Sequence, residues 1–144
     1  MSCVLRAAGT DFRVEEFLKT STLVPSRTYR RGEPVLATRP EGKRSRASGI
    51  VVSISEPPWS DLPAQVADAE QFLRANREEL SRLRSFPGVE DVALDFPIYQ
   101  RVGQGVWMQT DSFPASLVAI AGELGLGLDL SIYPPAGDEQ DDAV

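Results

Sequence analysis

The sequence predicts an α+β domain, a two-layer ferredoxin-like sandwich in which helices cover one face of a mixed or antiparallel sheet. Three observations predict it. Apolar residues recur along the chain with periods that switch between about 2 and about 3.6, as strands alternating with helices require. At least three of the apolar runs alternate with polar residues, the mark of strands with one buried and one wet face. The 144 residues, 42% hydrophobic and 25% charged, lie near the globular average and suffice for one domain with a real core. The expected order is β-α-β-β-α-β-β-α-β over residues 1–134, followed by an acidic, disordered tail at 135–144.

Residues 3–8 are short, apolar and closed by Gly9, which makes them a first strand. Thr10 or Asp11 caps a helix with Val14, Phe17 and Leu18 on one face, and Pro25 ends that unit. Residues 27–35 read as a strand around Tyr29. The stretch 37–48 has no apolar residue beyond alanine, so a long, exposed, basic loop or hairpin end is expected there. Ile50, Val52 and Ile54 alternate with Val51, Ser53 and Ser55 in a half-buried strand stopped by Pro57 and Pro58. Ser60 or Asp61 then opens the longest helix, with Pro63 in its first turn. Along it Leu62, Val66, Ala69, Leu73, Asn76, Leu80 and Leu83 form one stripe that only Asn76 breaks. The stripe barely reaches three heptads, so it is expected against the sheet, not in a coiled coil.

Beyond Pro87 and Gly88, Val92, Leu94 and Phe96 alternate with Asp91, Ala93 and Asp95 in a one-faced strand. Gly103, Gln104 and Gly105 lead into residues 106–109, read as another strand. Asp111 or Ser112 opens a short helix with Pro114 in its first turn, Phe113, Leu117, Ile120 and Leu124 on one side, and Gly125 just past its end. Leu128, Leu130 and Ile132 alternate with Asp129, Ser131 and Tyr133 in a closing strand.

Histidine is absent and Cys3 is the only cysteine. Those absences remove Ser-His-Asp and Cys-His hydrolases and Cys/His zinc sites. Carboxylates are the acid-base groups that remain, and Glu90, Asp91 and Asp95 cluster. Strand spacing puts Asp91 and Asp95 on the wet face, where burial would not perturb them. No catalytic residue, metal site or cofactor is therefore assigned. Gly103-Gln104-Gly105 lacks the third glycine and following helix of a nucleotide fingerprint, and residues 122–127 precede a strand instead of opening a helix. Cys3 is expected as an inert buried thiol, and Trp59 and Trp107 as core or staple residues. A lone cysteine makes no internal disulfide, and no signal-like segment or membrane-length apolar run is present, so the expectation is a cytoplasmic protein away from membranes.

Charge is unevenly spread. The net value is −6, yet residues 27–46 carry +5, leaving −11 for the remainder. A sheet that read nucleic acid would present aromatic residues on its open face. Here that face offers Asp91, Asp95, Asp129, Ser53 and Ser131, with Tyr133 as its one aromatic, which argues against nucleic acid.

The most distinctive string is Pro25-Ser26-Arg27-Thr28-Tyr29-Arg30-Arg31-Gly32-Glu33-Pro34. Read with the elements around it, it resembles a family of uncharacterised bacterial proteins of about 140 residues. In that family a Pro-(Ser/Thr)-Arg-x-aromatic-basic-basic-Gly-acidic segment follows the first helix. The resemblance implies no activity, cofactor or catalytic residue. Alternation in an extended strand puts Arg27, Tyr29 and Arg31 on one face and Thr28 and Arg30 on the other. Arg27, Tyr29, Arg30, Arg31 and Glu33 are thus the candidate binding residues, for a partner or for a small anion gripped by guanidinium forks. The structural alternative is that Tyr29 is core and that Arg27 and Arg31 pair with Glu33 or with helix acids. Three functions follow: first a non-catalytic protein-interaction module, such as an immunity-type inhibitor of a basic partner; as the alternative, a small-anion or metabolite-binding domain; and third a carboxylate-based enzyme, which would need an Asp or Glu with a raised pKa. The open sheet face and an edge strand also allow a homodimer.

Overall fold

A computed structural model describes residues 1–103 and 105–135; the acidic tail at 136–144 lies outside the described residues. Nine elements follow one another: β1 (Val4–Gly9), α1 (Val14–Thr20), β2 (Arg27–Tyr29), β3 (Ser48–Ser53), α2 (Leu62–Ala75), α3 (Arg77–Ser85), β4 (Asp91–Tyr99), α4 (Ala115–Glu123) and β5 (Gly127–Tyr133). The strands form one mixed sheet in the order β2-β3-β1-β4-β5. Its pairs are antiparallel except β4 and β5, which run parallel. The fold is therefore α+β, with five strands and four helices among the described residues in place of the expected six and three.

Alternation decides the faces. Leu5 and Ala7 of β1, Ile50 and Val52 of β3, and Val92, Leu94, Phe96 and Ile98 of β4 point one way. They join Val14 and Phe17 of α1, Leu62, Val66 and Leu73 of α2, Leu80 and Leu83 of α3, and Leu117 and Ile120 of α4 in a single core cluster. Cys3 is buried in it too, and burial, assisted by the negative charges of Asp95 and Asp68, pushes its thiol far up. It holds no reactive thiolate.

The long helix is two. Asn76 leaves the helical region at φ −121°, ψ 25°, and its side-chain amide and backbone N–H both donate to the Phe72 carbonyl. An asparagine that competes for the carbonyl four residues back ends a helix. Helix α3 restarts at once, so the apolar stripe continues across the break. Asp61 caps α2 as expected, accepting from the Ala64 N–H at 3.1 Å. Gly125, at φ 73°, sits where the left-handed residue past α4 was expected, and the Leu126 N–H returns to the Ala121 carbonyl at 2.8 Å.

Other caps differ from expectation. Thr10 does not cap α1; its N–H and hydroxyl both hold Glu90, and the helix starts at Val14 without a side-chain cap. Nor does Asp111 or Ser112 cap α4, whose N-cap is Pro114. The strand expected over 27–35 stops at Tyr29, because the Arg31 N–H goes to the Ser48 hydroxyl and Gly32 turns the chain at φ 89°. Residues 106–109 form no strand. Gly103 and Gly105 both hold positive φ, a tight Gly103–Val106 pairing folds the loop back on itself, and the Gln109 side chain is captured elsewhere. Strand β4 instead runs on to Tyr99, through Pro97. Its pairing with β1 ends at Asp95, so the missing proline N–H removes no bond on that side.

Candidate functional site

The open face of the sheet reads as rows of cross-strand partners. One row is Tyr29, Gly49, Ala8 and Asp91; the next is Arg27, Val51, Arg6 and Ala93; the next is Ser53, Val4, Asp95 and Asp129. Pro97 stands opposite Ser131, and Tyr99 opposite Tyr133. Near this last row Trp59 folds over both tyrosines, with ring centroids 5.4 and 4.6 Å away, and its indole N–H donates to the Met1 carbonyl. Tyr133 is thus joined on this face by Tyr29 and Tyr99.

Asp95 corrects the sequence reading most sharply. It lies on the open face as alternation requires, yet only 5% of it is exposed. One carboxylate oxygen accepts from the Arg6 guanidinium at 2.8 Å and the other from the Ser131 hydroxyl at 2.6 Å. Long side chains on neighbouring strands have covered a position that a period of two marks as wet.

The five candidate residues do not assemble. Arg30 turns to the helical side and binds Glu15 of α1, whose carboxyl its hydrogen bond holds below the ordinary range. Arg31 faces Asp11 at 3.8 Å. Glu33 is in the turn of a hairpin arm spanning 30–47, where its carbonyl accepts the Ser45 N–H; Pro34 pairs with Arg44. Arg44 spans the base of that arm, donating to the carbonyls of Gly32 and Pro40. Arg27 and Tyr29 alone stay together, on the open face, with the guanidinium 5.4 Å from the ring centre. Tyr29 is half-buried there, outside the core cluster.

Among the described residues, the carboxylates whose titration is shifted all move down. Thr10 holds Glu90 low through side-chain and backbone hydrogen bonds. For Glu79 burial acts upward, but bonds from Arg82 and Ser21 outweigh it; for Asp111 burial is likewise outweighed, by Gln109 and Arg101. A general acid needs the opposite displacement. No group of three or more metal-ligating side chains occurs among the described residues.

The second concentration of unusual surface is the loop at 100–114. Asp111 anchors it, accepting from Arg101 at 2.8 Å and from the Gln109 amide at 2.7 Å, while the Gln109 oxygen takes the Arg101 N–H at 2.7 Å. This polar clasp presents three consecutive apolar residues to solvent: Val106, Met108 at 60% exposure, and Trp107 at 86%. Between the loop and β5 lies a groove of about 460 Å³ lined by Val102, Leu130 and Ile132, with Gln100, Gln109 and Asp111 at its polar side. Trp107 therefore belongs to no core, contrary to the sequence expectation. The signal was present: an unbroken apolar triplet directly after two closely spaced glycines fits neither the alternation of a strand nor the period of a helix.

No family model, no curated protein and no solved structure matches the chain. No helix among the described residues is long and apolar enough to cross a membrane.

Proposed function

We propose that the protein is a non-catalytic protein-interaction module that docks a partner through the loop at 100–114, as an immunity-type inhibitor of a basic protein would. One observation carries the reading: Trp107 is almost wholly in water, on a loop whose conformation is fixed by side-chain hydrogen bonds. A run of three exposed apolar residues lowers solubility and adds nothing to the fold, whereas tryptophan is a preferred anchor of interface hot spots. The partner is a protein with an apolar pocket rimmed by basic groups. Charge supports the second part, since the sequence outside residues 27–46 carries −11.

We also read β1 to β4 with their helices as a ferredoxin-like unit extended by α4 and β5. Each β-α-β crossover in β1 to β4 straddles one antiparallel strand, which supports that assignment. The segment from Pro25 to Glu33 supports membership of the bacterial family it resembles. A cytoplasmic setting fits the single buried thiol.

Photo-crosslinking tests the docking reading. A benzoylphenylalanine at position 107, and another at Val24 as an equally exposed apolar control (82%), are irradiated in lysate of the native cells. The expected result is one discrete adduct from 107 alone, with a protein that then binds the purified chain at 1:1 and binds Trp107→Ala at least about tenfold more weakly. Matching adducts from both positions overturn the reading, and an adduct of twice the chain mass assigns the loop to a homodimer instead.

A further inference from the structure

The open face carries a second concavity, on the β2-β3-β1 side of the sheet. Arg27, Val51 and Arg6 are partners across three adjacent strands, so the arginines stand two strand spacings apart, about 9–10 Å between backbones, with Val51 between them. Tyr29 closes one end. Its ring lies against Gly49, where a Cβ would come within 2.4 Å of the phenol oxygen, so the glycine is what lets the ring lie down on the sheet. Val4 extends the apolar floor in the other direction, and Ser26 stands beside Arg27. Together these residues line a groove of about 520 Å³.

The charges facing the groove can be counted. Arg6 is ion-paired with Asp95, which is buried and also held by Ser131. Met1 lines the groove too, and its ammonium is paired with Glu56 at 2.9 Å. Arg27 has no carboxylate partner among the described residues; its neighbour is the face of Tyr29. No carboxylate lines the groove. What remains is one uncompensated guanidinium above a floor of valine side chains, with the tyrosine ring lying at one end.

We propose that this groove binds a monoanionic aryl carboxylate, the carboxylate on Arg27 and the ring on Val4 and Val51 against Tyr29. The planar fork of an arginine takes a carboxylate bidentately, and the Tyr29 ring, 5.4 Å from the Arg27 guanidinium, favours holding it on this face. A phosphate dianion would meet only one unneutralised positive charge and gain nothing from the floor. A neutral arene would leave the guanidinium without the partner that distinguishes this site. Weak affinity in the millimolar range suits so few contacts.

The test is a ¹H–¹⁵N NMR titration of the intact chain with benzoate at constant ionic strength, run in parallel with benzamide, acetate and inorganic phosphate. The expected result is saturable shifts confined to residues 4–6, 26–29 and 49–53, with benzamide and acetate at least about tenfold weaker. Arg27→Ala should keep a dispersed spectrum, because the side chain is exposed, and lose the benzoate response; Arg27→Lys should restore part of it. Shifts that do not saturate, that centre elsewhere, or that survive Arg27→Ala overturn the site. Phosphate binding as tightly as benzoate overturns the ligand class.

Discussion

The two faces of this sheet are built from the same five strands, with side chains alternating between them, and they bury themselves by different means. On the helical face, burial comes from bringing other elements: four helices lay apolar side chains over Leu5, Ile50, Leu94 and Phe96. On the open face it comes from the sheet's own side chains and one loop tryptophan. Arg6 and Ser131 fold over Asp95, Tyr29 lies over Gly49, and Trp59 reaches from a loop to cover Tyr99 and Tyr133. The difference teaches that a period of two tells which residues share a face and not which of them see water.

Mutations break that comparison in a graded way. Phe96→Ala on the helical face, fully buried and ring-packed against Phe113, should destabilise by about 3–5 kcal/mol in urea unfolding. Gly49→Ala should follow, at about 2 kcal/mol or more, since its Cβ would meet both the Tyr29 ring and the Ala7 carbonyl oxygen at 2.5 Å; a neutral result would mean that the strand shifts freely there. Asp95→Ala should cost about 1–2 kcal/mol, less than a core cavity, because Arg6 is more than half exposed and rehydrates once its partner is gone. Trp107→Ala should change stability by no more than about 0.5 kcal/mol while removing partner binding, the reverse of the Phe96 variant.

Acid sharpens the same contrast from another side. Glu79 is held below the ordinary glutamate range by Arg82, whose guanidinium also lies 4.5 Å from the centre of the Phe17 ring and bonds the Phe17 carbonyl. A carboxyl with a lowered folded-state pKa contributes stability above its unfolded value, and that contribution fades as pH falls through the folded value. Glu79→Gln should therefore flatten the acid limb of the stability curve below about pH 4.5 and lower stability at pH 7. An unchanged acid limb would place the titration elsewhere.

The sequence disclosed the strands with strict alternation, the apolar stripe of α2 and α3, the Asp61 cap and the turn at Gly125, because each rests on local periodicity or backbone preference. It did not disclose the break at Asn76, where the same stripe continues through two helices and the change lies in one residue's backbone angles and its amide bond to Phe72. The grip on Asp95 depends on which strands become neighbours: Arg6 and Ser131 lie 89 and 36 positions away and meet it only in this sheet order. The five-residue binding segment dispersed because the strand stops after Tyr29, sending Arg30 and Arg31 to acids near α1. Trp107 was misplaced for a different reason. Size and hydrophobicity argued for the core, whereas Gly103 and Gly105, both at positive φ, precede it in a segment that joins no strand.

The first strand lies in the middle of the sheet, between β3 and β4. A ribosome makes β1 early and β4 some eighty residues later, which at about 5–20 residues per second is a wait on the order of ten seconds. Throughout that interval Leu5 and Ala7 have no complete sheet to join, and one edge of β1 stays open to any other extended chain. The order of the strands thus writes a period of vulnerability into every synthesis of the protein, ended only when residues 91–95 arrive.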